Sequence, residues 1–556
     1  MRDETDGRGD DAEEAAREPA SGGTGAHDES GGRVDGPAGG SGWWDPYLLG
    51  EPPSPPLAVS RSFWPSEDDP APWPVLVGVA LTAVLAGAFC AASGFGANVL
   101  VVALAATGTA IVAGRAGGRR GRPGWWRGGF ALLGLFLAAV PLWRGDDGFG
   151  YLTVVAAFAA AALALGGGRR WAQVARQPLV VIARFPGGAE WVSQGVSALV
   201  ARRRGGTGAA MRAVAATAAL GGVFVGLFAA ADAVFADLLG GLAPDEGVGP
   251  VLLRVLFAVF GTALAATAAW TAYDRRDRQR EDTEPERAGY RVGSRIEWLL
   301  PLAVLDVLFL GFVVIQAVVL FGHQDGLLDD VETSRAAYAR DGFWQLMTVT
   351  VLTLAVVAVT MTVVPRERAA DRRLAKRLVG VLALLAVGVG AAALYRTASY
   401  VGDFGLDRVR LVTAGAEVWL CAVLLMVVLA TLVRGVTAAL PRITAAGALV
   451  TVAVLGAVSP DAMVADQRVR LYERTGAIDL DYVRGLGPDA VPALDRLPEP
   501  YRSCALADIA ADLDEGHPWY ATSLAEVRAE RILRDRPVKP KWNCPSAVSS
   551  EPGERR

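Results

Sequence analysis

The chain has 556 residues, 52% of them apolar, a mean hydropathy of +0.32 and nearly balanced charge, 54 basic against 58 acidic residues. The charge is confined to the two ends and to short breaks between long apolar runs. A soluble protein built of buried helices is excluded, because such helices carry a polar stripe that these runs lack. The basic clusters flank apolar runs, which leaves nucleic-acid binding without support.

In chain order, residues 1–42 hold 11 Gly, few aliphatic side chains and an acidic excess, and Pro52 to Pro56 continue the irregular composition. Such a segment cannot bury enough apolar surface to offset its ordering entropy, so residues 1–70 are expected to be a disordered acidic cytoplasmic tail. A basic start with an apolar core, the mark of a cleavable signal peptide, is missing.

Eleven apolar stretches of 16 to 24 residues follow: Trp73–Ser93, Ala97–Gly114, Gly128–Trp143, Phe149–Gly168, Ala213–Ala231, Val251–Ala272, Trp298–Phe321, Phe343–Val364, Leu378–Tyr395, Leu411–Val433 and Ile443–Val458. About 20 such residues cross the hydrocarbon layer as a helix. The fold class is therefore an all-α integral membrane protein of about eleven spans, bounded by residues 71–459.

The breaks after the second, fourth, sixth, eighth and tenth stretches carry the arginines, for instance Arg115 to Arg127, Arg169 to Arg204 and Arg366 to Arg377. The alternate breaks are neutral or acidic. Positive charge is retained on the cytoplasmic side, which places the N-terminus inside and, for an odd number of spans, the C-terminus outside a bacterial cytoplasmic membrane. In the fourth-to-fifth break, Trp191, Val192, Val196, Leu199 and Val200 precede Arg202 to Arg204. That stripe with a basic end suits a helix lying in the headgroup region.

After the last span, residues 460–556 form a polar, mostly helical extracytoplasmic tail. Ser523 and Glu526 have capping-box spacing. Cys504 and Cys544 both fall in it, and in an oxidising compartment they can form a disulfide.

Several stretches resemble a known family. Leu305-Asp306, Phe309, Gln316 and Leu320-Phe321-Gly322 are followed by Tyr338-Ala339-Arg340 and Gly342-Phe343-Trp344-Gln345-Leu346. Phe404-Gly405-Leu406 comes with Arg408 and Arg410, and the later pieces are Pro460-Asp461-Ala462, Asp479-Leu480-Asp481-Tyr482 and Asp489-Ala490-Val491-Pro492. Together these resemble the DUF4153/DUF4173 family of bacterial membrane proteins, over roughly Trp298 to Leu494. The resemblance implies an architecture and no activity. Asp407 stands where that family often has Thr.

Ionisable residues inside spans are costly and mark partners or water-filled cavities. Asp232, Arg254, Asp306 and Glu417 qualify. Asp232 and Arg254 are placed to pair with each other. Asp306 and Glu417 are expected to face the bundle interior in one polar cluster with Gln316 or an outer arginine, Arg340, Arg408 or Arg410. The three histidines lie far apart, no metal-ligand spacing or phosphate loop is present, and no cofactor is implied. Two functions remain open. One is a transport-like or small-molecule-binding protein with an outward-facing polar site. The other is an envelope signalling or assembly scaffold that positions its outer tail for a protein partner. Enzymatic use of Asp306 or Glu417 ranks behind both, and no transporter-like internal repeat is visible.

Overall fold

The computed structural model describes residues 69–91, 94–118, 124–144, 149–203, 248–274, 294–321, 343–364, 368–433, 436–514 and 518–539, with the single positions 65, 516 and 544. All belong to one unit, Val59–Arg556. Apart from three positions, the expected N-terminal tail lies outside the described residues, as do Ala213–Ala231, Asp232 and Arg340.

The protein is an all-α integral membrane protein. Among the described residues, nine helices are long and apolar enough to cross a membrane, and a tenth apolar helix, Trp73–Phe89, is shorter. In order the helices are α1 (Trp73–Phe89), α2 (Ala97–Ala116), α3 (Trp125–Trp143), α4 (Phe149–Gly166), α5 (Trp171–Ala183), α6 (Phe185–Arg203), α7 (Val248–Tyr273) and α8 (Arg295–Phe321). They continue with α9 (Phe343–Val363), α10 (Ala369–Phe404), α11 (Arg408–Leu432) and α12 (Val436–Val458). A cluster of shorter helices follows: α13 (Pro460–Thr475), α14 (Leu480–Arg484), α15 (Val491–Leu494), α16 (Tyr501–Asp514) and α17 (Leu524–Asp535).

Lipid supplies no hydrophobic drive between helices, so close approach depends on small residues. A Cβ on Gly87 of α1 would lie 2.8 Å from the Arg254 carbonyl on α7, and one on Gly188 of α6 would lie 3.0 Å from Ala266 of α7. Around α7 the core is Val75, Val79, Ala113, Trp191, Ala265, Ala269 and Trp270. Trp191 is fully buried and donates its indole N–H to the Asp69 carbonyl at 2.9 Å. α6 packs the Trp191 part of its stripe on α7 and leaves Val196 and Leu199 exposed. α3, α4 and α12 share a second core, with Leu137, Ala160, Leu163 and Ala453. α10 is the centre of the third, in which Leu302 of α8, Val357 of α9 and Leu424 of α11 meet Val379, Leu382 and Ala386.

α10 has 36 residues, about 54 Å at 1.5 Å per residue, far more than the roughly 30 Å hydrocarbon layer. The break between the ninth and tenth apolar stretches, Arg396 to Arg410, is thus mostly helix, and only Gly405 to Asp407 turn the chain into α11.

The C-terminal helices have their own core, including Val464, Val469, Leu480, Val483, Leu494, Leu506 and Ile509. Ser523 and Glu526 form a reciprocal capping box at α17. Cys504, buried on α16, is disulfide-bonded to Cys544, with Cα atoms 5.7 Å apart.

Candidate functional site

Four segments distant in sequence meet at one end of the bundle. The first is the turn after α10. Gly405 has φ +90, a conformation costly for a side chain, and a Cβ there would lie 3.2 Å from the Arg468 guanidinium carbon. Asp407 caps α11 by accepting from Arg410 N–H at 2.7 Å and binds the Arg410 side chain at 3.1 Å. Arg410 also lies 3.5 Å over the Tyr400 ring. The second segment is the corner between α12 and α13. The chain turns within one residue, Ser459, whose φ of 58 is the positive value held by a non-glycine among the described residues. Its hydroxyl accepts from Ala462 N–H at 3.3 Å and bonds the Asp489 carboxylate. Pro460 and Asp461 suit the first turn of α13, where a missing N–H is harmless and a negative charge meets the positive end of the helix dipole.

These pieces interlock. Arg408 sits in the first turn of α11, an unfavourable place for a cation. It donates from Nε and Nη2 to the two oxygens of Asp461. Its backbone N–H donates to the Tyr482 hydroxyl at 2.9 Å. Asp461 is 1% exposed, against 36% for Arg408, so the carboxylate is the partner committed to the pair. Asp461 also accepts from Gly487 N–H. Gln467 clasps the turn from α13, accepting from Leu406 N–H at 2.8 Å and donating to the Val401 carbonyl at 3.1 Å.

The third segment is the end of α3. Arg144 donates to the Gly456 carbonyl at 2.7 Å and to the Ala457 carbonyl, neutralising the negative end of α12, and to Asp489 at 3.1 Å. Its guanidinium is thereby divided among three acceptors. Burial pushes the Asp489 carboxyl above its ordinary value, against the pull of Arg144 and Ser459. The fourth segment is the α1–α2 hairpin, closed by Asn98, whose side chain accepts from Gly96 N–H and donates to the Phe89 carbonyl. Its backbone N–H donates to the Tyr520 carbonyl at 3.1 Å, and the Phe89 and Tyr520 rings lie 5.1 Å apart.

Within the bundle, Glu417 on α11 is fully buried and accepts from the Thr350 hydroxyl of α9 at 3.0 Å. A Cβ on Gly390 of α10 would press on its Oε1 at 2.8 Å and on the Cys421 sulfur. The other oxygen of Glu417 and both oxygens of Asp306, which is 9% exposed, have no hydrogen-bond partner among the described residues. Gln316 is half-buried on α8.

The cluster expected from the sequence is therefore divided. Asp306 and Glu417 are both buried, but α10 packs between α8 and α11, and among the described residues no bond joins the two. Arg408 and Arg410 bind Asp461 and Asp407. The anticipated partner of Arg254 lies outside the described residues. Arg144, Asp461, Asp489 and Thr350 were missed as site residues. Arg144 had a signal: it is an arginine in a break of the neutral or acidic set, where charge placement leaves it unexplained.

No curated protein and no solved structure matches the chain. The family model described as a domain of unknown function (DUF4153) matches residues 130–497. The match begins in α3, well before Trp298 where the motif resemblance starts, and it takes in Arg144, Arg408, Glu417, Asp461 and Asp489. It spans more than half of the chain, and the protein belongs to the DUF4153 family.

Proposed function

We propose that this is a multi-pass protein of the bacterial cytoplasmic membrane whose helices, residues 71–459, hold the C-terminal segment, 460–556, as a fixed extracytoplasmic module for a protein partner, with residues 1–70 as a cytoplasmic tail. The observation that carries this reading is the junction, where Arg408–Asp461 and Arg144–Asp489 clamp α13 and its neighbours to the helix ends. Breaking one partner of a buried pair costs about 3–5 kcal/mol, so a module held this way keeps its orientation. Arginine placement supports the sidedness, and the Cys504–Cys544 bond is the chemistry of an oxidising compartment.

A transport-like reading draws on one observation, the three buried carboxylate oxygens of Asp306 and Glu417 that have no partner among the described residues. Ionisable groups at that depth are functional candidates. The two readings part in a deletion strain complemented with three variants: a truncation after Ser459, Arg408→Gln, and Asp306→Asn with Glu417→Gln. The module reading expects the first two to insert in normal amounts yet fail to complement, and the third to complement. Failure of only the carboxylate variant, at normal abundance, assigns the function to the membrane site. Sidedness is tested with single cysteines: Ala370→Cys should resist an impermeant thiol reagent in intact cells, while Thr475→Cys should react.

A further inference from the structure

The end of the bundle away from the C-terminal helices holds a cavity of about 430 Å³, lined by Trp126, Arg127, Phe130, Leu163, Arg169 and Arg442 among others. Its walls are of two kinds. Trp126, Phe130 and Leu163 are apolar, and Trp125 stacks on Trp126 with ring centroids 4.0 Å apart, in the position aromatic side chains take at a membrane interface. Among the described residues the charged wall is entirely cationic, and no Asp or Glu lines the cavity.

Arg169 and Arg442 are held but meet no carboxylate among the described residues. Arg127 donates to the Leu165 and Gly166 carbonyls at 2.6 and 2.8 Å. Arg442 donates from Nε to the Gly168 carbonyl at 2.7 Å, and its two terminal nitrogens have no acceptor among the described residues. Arg169 is anchored through its backbone, which donates to Gln173 at 2.8 Å, leaving an exposed guanidinium. Arg169 and Arg442 stand close enough to repel each other. The turn between them, Gly167 and Gly168 with φ +96 and +45, is open only to residues that tolerate the left-handed region. The Gly168 carbonyl of that turn fixes one edge of Arg442, which also lines the cavity. Two repelling guanidiniums beside an apolar wall ask for an anion that carries apolar substance with it, and guanidinium binds phosphate oxygens in a bidentate fork.

We propose that this cavity binds the phosphate of an anionic phospholipid headgroup, with Arg169 and Arg442 as its ligands and the Trp126–Phe130–Leu163 wall taking the start of the acyl chains. A free phosphate would gain nothing from that wall. Basic pockets between membrane helices have this chemistry in general, and the volume falls in the range of small-ligand sites. This site is independent of the junction and of the role assigned to it.

The test is native mass spectrometry of the full-length protein released from detergent, loaded in turn with phosphatidylglycerol, phosphatidylcholine and inorganic phosphate. The wild type should retain one phosphatidylglycerol in preference to phosphatidylcholine. Arg169→Gln should lower that retention about tenfold, the worth of one charge-assisted pair. Its side chain makes no bond within the described residues, so the variant should fold, and an unchanged melting temperature in lipid-free detergent checks this. The double variant Arg169→Gln, Arg442→Gln should abolish the preference. Equal retention of both lipids by the wild type, or an unchanged preference in Arg169→Gln, overturns the proposal. So does displacement of the lipid by millimolar inorganic phosphate, which would make the site one for the free anion.

Discussion

The two ends of the helix bundle use arginine in opposite ways. At the end that carries α13 to α17, Arg408 and Arg144 meet carboxylates supplied by segments far along the chain, Asp461 and Asp489. At the other end, Arg442 meets a backbone carbonyl and a like charge, and a cavity lies beside it. The residue type is the same, and both sets flank membrane helices. What differs is whether the fold returns an acid to that place. An arginine paired in protein is a clasp; one left with a carbonyl and a like charge is, in our proposal, a receptor for an anion.

The largest effect that would sharpen this contrast is on the Arg408–Asp461 pair. Arg408→Gln leaves Asp461 buried at 1% exposure without its cation, and we expect the C-terminal helices to lose about 3–5 kcal/mol of docking stability. Asp461→Asn should cost less, because Arg408 at 36% exposure can turn to water. Hydrogen exchange of residues 460–514 measures both; a larger loss for Asp461→Asn would mean that burial does not govern the pair.

The disulfide closes a segment of sequence separation 40, and in the chain-entropy model a loop of this size is worth roughly 3–4 kcal/mol. Cys504→Ser with Cys544→Ser should therefore lower the unfolding temperature of α16 while leaving the membrane helices unmoved, which thermal proteolysis resolves. If the whole protein melts earlier instead, the two regions are less separable than the comparison holds.

A smaller loss is expected where backbone approach is closest. In Gly96→Ala the new methyl would lie 2.9 Å from the Ala521 carbonyl carbon and the Tyr520 oxygen, both backbone, so the α1–α2 hairpin and the 518–522 turn must separate at about 1–3 kcal/mol. Accelerated cleavage near Trp519, without loss of inserted protein, is the expected readout.

The smallest effect is a pH dependence. The Asp489 carboxyl is raised in the folded state, so between the ordinary carboxylate value and its raised one the folded state binds more protons than the unfolded. Stability then falls as pH rises through that window. Docking should weaken modestly from about pH 4 upward, and Asp489→Asn should flatten that part of the profile. A profile that rises with pH there would reverse the assignment.

What the amino-acid order determined by itself is whatever depends on local content. Apolar length and the absence of a polar stripe specify membrane helices one at a time, and every stretch read from the sequence that falls on described residues is helical. The Ser523–Glu526 box is legible because both partners lie within one turn. The motifs around Gly405, Asp461, Tyr482 and Asp489 stood out as family-like without revealing that they touch. Only the tertiary structure decided that Arg408 belongs to Asp461, 53 residues away, and Arg144 to Asp489, 345 away. It also decided that α10 parts Asp306 from Glu417, and that Trp191 packs on α7. The physical reason is that helix formation in a membrane is satisfied within each segment, whereas a charge near a helix end is satisfied by whichever segment the packing brings there. One helix placed between two others outweighs any agreement in depth along the sequence.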